Sequence, residues 1–130
     1  MRNLVLVAGV GLAAALSPRE LAAQDPAAPA PIESVRYGRD VRPILSDRCF
    51  RCHGPDATQR SGELRLDTRE GAIARRDGGA AIAPGAPERS ALLARVASDD
   101  PDERMPPPES HKRALSKDEI GLLARWIAEG

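Results

Sequence analysis

The sequence predicts a small all-α domain, and three observations carry that prediction. Near the C-terminus, Ser116-Lys117-Asp118-Glu119 forms a helix-starting box, and Ile120, Leu123, Trp126 and Ile127 behind it make one apolar stripe. Nearer the middle, Val41, Ile44 and Leu45 recur at helical spacing around Pro43. Between them there is no run of β-branched residues of the kind a βαβ unit needs.

The elements follow in chain order. Met1-Arg2 and the apolar run from Leu4 to Leu16 lead to Leu21-Ala22-Ala23-Gln24. A charged start, an apolar stretch too short for a bilayer and small residues at a cleavage point predict a signal peptide over residues 1–23. An uncleaved anchor is the alternative, disfavoured by the short Gly/Ala-rich run. Residues 24–34 are rich in Pro and Ala and read as an extended linker. Residues 35–130 remain, enough for one domain.

A first helix is predicted over residues 38–51, with Pro43 near its start, where a missing N–H is tolerated. His53-Gly54-Pro55 ends it. A polar loop and a short extended piece at Leu64-Arg65-Leu66 come next. Thr68 caps a predicted helix over 69–75, stopped by Asp77-Gly78-Gly79. Pro84-Gly85 marks a turn. Pro87 then opens a predicted helix over 87–96 with Leu92, Leu93 and Val96 inward, although Ala86 is poor capping chemistry. Residues 99–114 form a long loop dense in Pro and charge, a length that usually signals function or disorder.

Composition narrows the function. Nineteen basic and nineteen acidic side chains balance, and the Arg residues are interleaved with Asp and Glu. That pattern argues against a nucleic-acid partner. Tyr37, Phe50 and Trp126 are the only aromatics. A domain this small with so few large side chains is marginal on its own burial. A large apolar cofactor in the core would make up the deficit, and the form lacking it is expected to be largely unfolded.

The decisive motif is Cys49-Phe50-Arg51-Cys52-His53, the C-x-x-C-H signature of c-type haem attachment. On a helical turn, residues three and four apart share a face. Cys49 and Cys52 can thus each form a thioether with a haem vinyl group while His53 offers its imidazole to the iron. A thioredoxin-like dithiol would need a βαβ setting. A zinc site would have to recruit His111 to Cys49, Cys52 and His53, at a spacing that fits no common zinc pattern.

Apart from the initiator the chain has one methionine, Met105, in Arg104-Met105-Pro106-Pro107-Pro108. The following Pro biases Met105 toward extended backbone. His/Met ligation raises the potential of a haem iron. Met105 as core filler is the bland alternative, and its charged loop offers no apolar periodicity to bury it. His111 is a rival sixth ligand, and an open sixth site is a third possibility. Tyr37 and Trp126 read as packing residues.

From residue 35 onward the chain resembles the planctomycete-type cytochrome c domain. Five motifs carry the likeness: Tyr37 to Leu45 running into Cys49 to Pro55, then Gly62 to Asp67, Arg104 to Ser110, and Leu122 to Ile127. The resemblance implies a small class I cytochrome c-like fold, with first and last helices crossing and haem in the core. Val41, Ile44 and Leu45 would meet Ile120, Leu123 and Trp126. It further implies one covalent haem c on Cys49 and Cys52, with His53 and Met105 as iron ligands. The Pro55 carbonyl is expected to brace the proximal imidazole. Domains of this family usually open longer proteins, so residue 130 is either a native end or a point of truncation.

The functional expectation is an exported, periplasmic monohaem electron carrier rather than an enzyme, monomeric and not membrane-inserted once its signal is cleaved. Its partner is a redox protein that the sequence does not name. The alternatives are a haem-based catalyst or sensor with a labile sixth site, and an accessory electron-transfer module of a larger oxidoreductase.

Overall fold

The computed structural model describes residues 33–130. The predicted signal peptide and nearly all of the predicted linker lie outside the described residues. Among the described residues, no helix is long and apolar enough to cross a membrane.

The domain begins with a single π turn, Tyr37–Val41, that flows into helix α1, Arg42–Arg48. Asp40 closes the turn. Its carboxylate accepts from the Arg36 N–H at 2.8 Å, while the Asp40 N–H donates to the Arg36 carbonyl at 2.8 Å. The Arg39 guanidinium, and then that Arg36 bond, hold the Asp40 carboxyl down at about 2. Pro43 sits in the first turn of α1, as predicted.

The helix stops at Arg48, three residues short of the expected end. Here the ladder forks: the Cys49 and Phe50 N–H groups both donate to the Leu45 carbonyl, at 2.8 and 3.0 Å. A fresh turn follows, in which the Cys52 and His53 N–H groups donate to the Cys49 carbonyl at 3.1 and 2.8 Å.

Helix α2, Arg69–Ile73, is capped as predicted by Thr68, whose hydroxyl accepts from the Gly71 N–H at 3.2 Å. It ends two residues early, and the chain then departs from the all-α prediction. Arg75–Arg76 (β1) and Gly79–Ala80 (β2) pair antiparallel, with Arg75 opposite Ala80 and Arg76 opposite Gly79. Gly78 and Gly79 make this tight return possible at φ of 91° and 111°. The architecture is mostly α, with this one small ladder.

The helix predicted over 87–96 is interrupted. Residues Pro87–Arg89 make a 3₁₀ turn, Ser90 is extended, and only Ala91–Val96 is α-helical, as α3. The weak cap at Ala86 is one cause. Ser90 supplies the other, because its hydroxyl, 3% exposed, accepts from the Ala83 N–H at 2.9 Å and donates to the Ala86 carbonyl at 3.1 Å. A buried hydroxyl that satisfies a neighbouring loop holds its own backbone out of the helix.

The long loop carries one further 3₁₀ turn, Pro108–Ser110, and leads to helix α4, Lys117–Glu129. The capping box is present in full: Ser116 Oγ accepts from the Glu119 N–H, and the Glu119 carboxylate accepts from the Ser116 N–H. Gly130 closes the helix at φ 85°.

Val41, Leu45, Leu123 and Ile127 are fully buried and form the centre of one apolar cluster with Leu66, Ile82, Leu92 and Val96. Ile44, Ile120 and Trp126 pack against it half-buried. Helix α4 lies against the Tyr37–Val41 turn and against α3. The Tyr37 and Trp126 rings stand 5.6 Å apart at 34°, and the Val35 N–H donates to the Glu129 carboxylate at 2.9 Å. The two ends of the domain are therefore joined, and the loop between α1 and α2 is left to carry the cysteines.

Candidate cofactor site

Cys49, Cys52 and His53 occupy the turn after α1, and each end of that turn is tied to the loop that follows. The Ser61 N–H donates to the Cys52 carbonyl at 2.8 Å, and the Leu66 N–H to the His53 carbonyl at 2.8 Å. Gly54 is required by close approach: a Cβ there would lie 2.1 Å from the Phe50 carbonyl oxygen. Both cysteines are free, Cys49 buried and Cys52 half-buried. Burial pushes the Cys49 thiol up to about 11, against the opposing Arg48 charge. A thiol so firmly protonated is the reverse of an activated redox dithiol.

His53 is half-buried, and its Nδ1 is buried without a partner. Burial lowers its pKa from the usual imidazole value, with the Arg76 charge pushing the same way and the Ser61 main chain opposing. The neutral ring that results is the form that ligates a metal.

The Pro55 carbonyl expected to brace this imidazole is engaged elsewhere. It accepts from Arg60 Nη2 at 2.9 Å, beside a bond from Arg60 Nε to the Gly54 carbonyl at 3.0 Å. One guanidinium thus gathers both carbonyls after His53, which the sequence reading missed.

Met105 is half-buried, ahead of a buried Pro106. Its N–H donates to the Arg95 carbonyl in the last turn of α3 at 3.0 Å. His111 is exposed, at φ 56°.

Two cavities of about 370 Å³ each adjoin here, and both are lined by Cys49, His53 and Met105. One continues between Arg48, Cys52, Pro106 and His111. The other is lined by the apolar Leu64, Leu66, Leu92 and Val96 and by the exposed Arg76 and Arg95. A further cavity of about 380 Å³, bounded by Tyr37, Ile73 and Trp126, lies beyond Leu66 and contains none of the predicted site residues.

The donor set therefore stands around one divided space, whose second part has an apolar wall of Leu64, Leu66, Leu92 and Val96. An orphaned imidazole nitrogen, a thioether, two unoxidised thiols and an apolar cleft fit a covalently attached haem. The zinc reading lacks its ligand cluster: among the described residues, no three His, Cys, Asp or Glu side chains gather closely enough to hold a metal ion.

Residues 49–109 match the family model described as Planctomycete cytochrome C. That match supports a planctomycete-type cytochrome c domain. The matched segment runs from the first cysteine of the motif past Met105, so it spans both walls of the cleft. A cytochrome c domain carries covalently bound haem c with its iron, which makes this domain a haem-binding electron-transfer module. No curated protein and no solved structure matches the chain.

Proposed function

We propose that the chain is an exported monohaem electron carrier in which Cys49 and Cys52 hold the haem, His53 is the proximal ligand and Met105 the sixth. The observation that carries this reading is the shared lining: Cys49, His53 and Met105 border both cavities of the cleft. When bound, the haem supplies a one-electron iron couple.

The chain's own residues do the rest. Burial keeps the His53 ring neutral and ready to donate its lone pair. Hydrogen bonds at Cys49 and Leu66 fix the main chain on both sides of that ring, which limits its motion when the iron changes charge. The Arg95–Met105 bond does the same for the sulfur donor. Leu64, Leu66, Leu92 and Val96 give the cleft an apolar wall. With His53 and Met105 both committed to holding the group, no substrate would have a place to bind, and the domain would serve to pass an electron to a partner protein. Export through the leader over residues 1–23 agrees with this reading, since haem is attached to such proteins outside the bacterial cytoplasmic membrane.

Replacing Met105 by Ala tests the assignment. In a host competent for haem maturation, M105A should keep its covalent haem, show a lower midpoint potential and bind carbon monoxide rapidly when ferrous. Wild-type protein should resist carbon monoxide. An unchanged potential in M105A rejects Met105 as ligand, and rapid binding by the wild type favours a labile sixth site, as in a sensor or catalyst.

A further inference from the structure

Two exposed cations, Arg76 and Arg95, line the cavity that Leu64, Leu66, Leu92 and Val96 share with His53, and they are not equivalent. Arg95 is already paired with the Glu103 carboxylate at 2.5 Å. Arg76, at the end of β1, lines the same cavity as His53, Leu64 and Met105 but has no ion pair among the described residues. Its guanidinium donates to the main-chain carbonyls of Glu63, at 3.1 Å, and Gly62. Carbonyls are neutral acceptors, so they fix the position of the group without cancelling its charge. Two of its five N–H donors are used, and three remain.

The holder of Arg76 is itself unusual. Gly62 and Glu63 take consecutive left-handed conformations, at φ 60° and 55°. Glycine accepts that region freely, but a glutamate there is strained. Strain of this kind persists where surrounding structure over-determines it, and such places cluster at functional sites. Here the Gly62–Glu63 turn brings two carbonyls onto one guanidinium.

A haem brings two propionate carboxylates into its cleft, and an arginine fork matches a carboxylate in shape as well as charge. We propose that Arg76 is the carboxylate anchor of the cleft and pairs with a haem propionate, held in place by the Gly62–Glu63 turn. This inference rests on the cleft being the haem site.

The test uses haem-loaded protein and the midpoint potential read by spectroelectrochemistry. Arg76→Gln removes a positive charge beside the haem and frees a propionate, both of which disfavour the ferrous state. It should move the ferric-to-ferrous ratio at a fixed potential about tenfold toward ferric, which is 59 mV for a one-electron couple. Arg75→Gln loses the same charge from the neighbouring residue, which lines none of the cavities. It should move the ratio less than about twofold, as expected of a solvent-screened charge outside the cavity. Arg76→Lys keeps the charge without the fork and should shift the ratio in the same direction by about threefold.

Equal shifts in R75Q and R76Q overturn the proposal, as does an unshifted R76Q with a normal c-type spectrum. Should R76Q fail to fold, an unshifted R76K overturns it in the same way. A wild-type chain that emerges without covalent haem overturns the proposed function itself, a result distinct from either.

Discussion

Replacing Glu119 by Gln or by Ala separates two roles that one carboxylate fills. Oε2 accepts from the Ser116 N–H at 2.8 Å, completing the capping box. The two oxygens also accept from Arg113 at 2.7 and 2.8 Å, and Arg48 Nη2 lies 3.7 Å away. The Arg113 bonds, then the Ser116 bond, hold the Glu119 carboxyl down at about 2 from its ordinary 4.5. Read at face value, a depression of that size is worth about 3 kcal/mol. Arg113 is 59% exposed, however, and solvent screening reduces the ionic part to about 1 kcal/mol.

Glutamine can still close a capping box, so E119Q should lose about 1 kcal/mol at neutral pH. Alanine loses the cap as well, and E119A should lose about 2 kcal/mol. The sign with pH follows from the lowered folded-state pKa. The ionic contribution is complete above the unfolded-state value near 4.5 and disappears as pH falls toward about 2. Urea unfolding of the haem-loaded proteins should therefore show a gap between wild type and E119Q that is constant from neutral pH to about 5 and closes below it. A gap that stays open at low pH, or no gap at neutral pH, would refute the reasoning.

Two further outcomes are expected. Gly54→Ala drives a Cβ to 2.1 Å from the Phe50 carbonyl oxygen and must distort the turn that carries His53. A loss of about 1–3 kcal/mol in urea unfolding, with reduced haem incorporation by haemochrome assay, is the result to look for. Ser90→Ala strands the Ala83 N–H that the buried hydroxyl now serves, while the Ala86 carbonyl keeps its bond from the Arg89 N–H at 3.0 Å. It should destabilise by about 1–3 kcal/mol, and a wild-type urea midpoint would contradict that account.

How much of this was legible beforehand depended on the range of the interaction involved. Helix α4 was readable nearly to the residue because Ser116, Glu119 and the Ile120–Ile127 stripe act within a few positions of one another. Thr68 as the cap of α2 was legible for the same reason. Ser90 was not, since a serine in a helical pattern reveals nothing of the Ala83 and Ala86 groups it will bond. The Arg75–Ala80 ladder has no apolar alternation to announce it and follows from the Asp77-Gly78-Gly79 turn.

Within the site, Cys49, Cys52 and His53 were marked by spacing, and Met105 by being the one internal methionine. Arg76 resembles every other arginine until the chain folds it onto Gly62 and Glu63. The brace expected from Pro55 failed because Arg60, five residues on, claims that carbonyl.

The imidazole and the thioether are mounted on different stretches of backbone. His53 is lashed to the 61–66 loop, while Met105 hangs from the final turn of α3, itself tied through the Leu92 N–H to the Ala81 carbonyl at 2.9 Å. Among the described residues, no main-chain hydrogen bond runs directly from residues 49–66 to residues 91–105. The gap between the two banks is a joint awaiting its rivet. Only side-chain packing, Leu66 with Leu92 and Val96 in one cluster, spans it, so a porphyrin bound there would add a covalent and coordinate tie between the two banks.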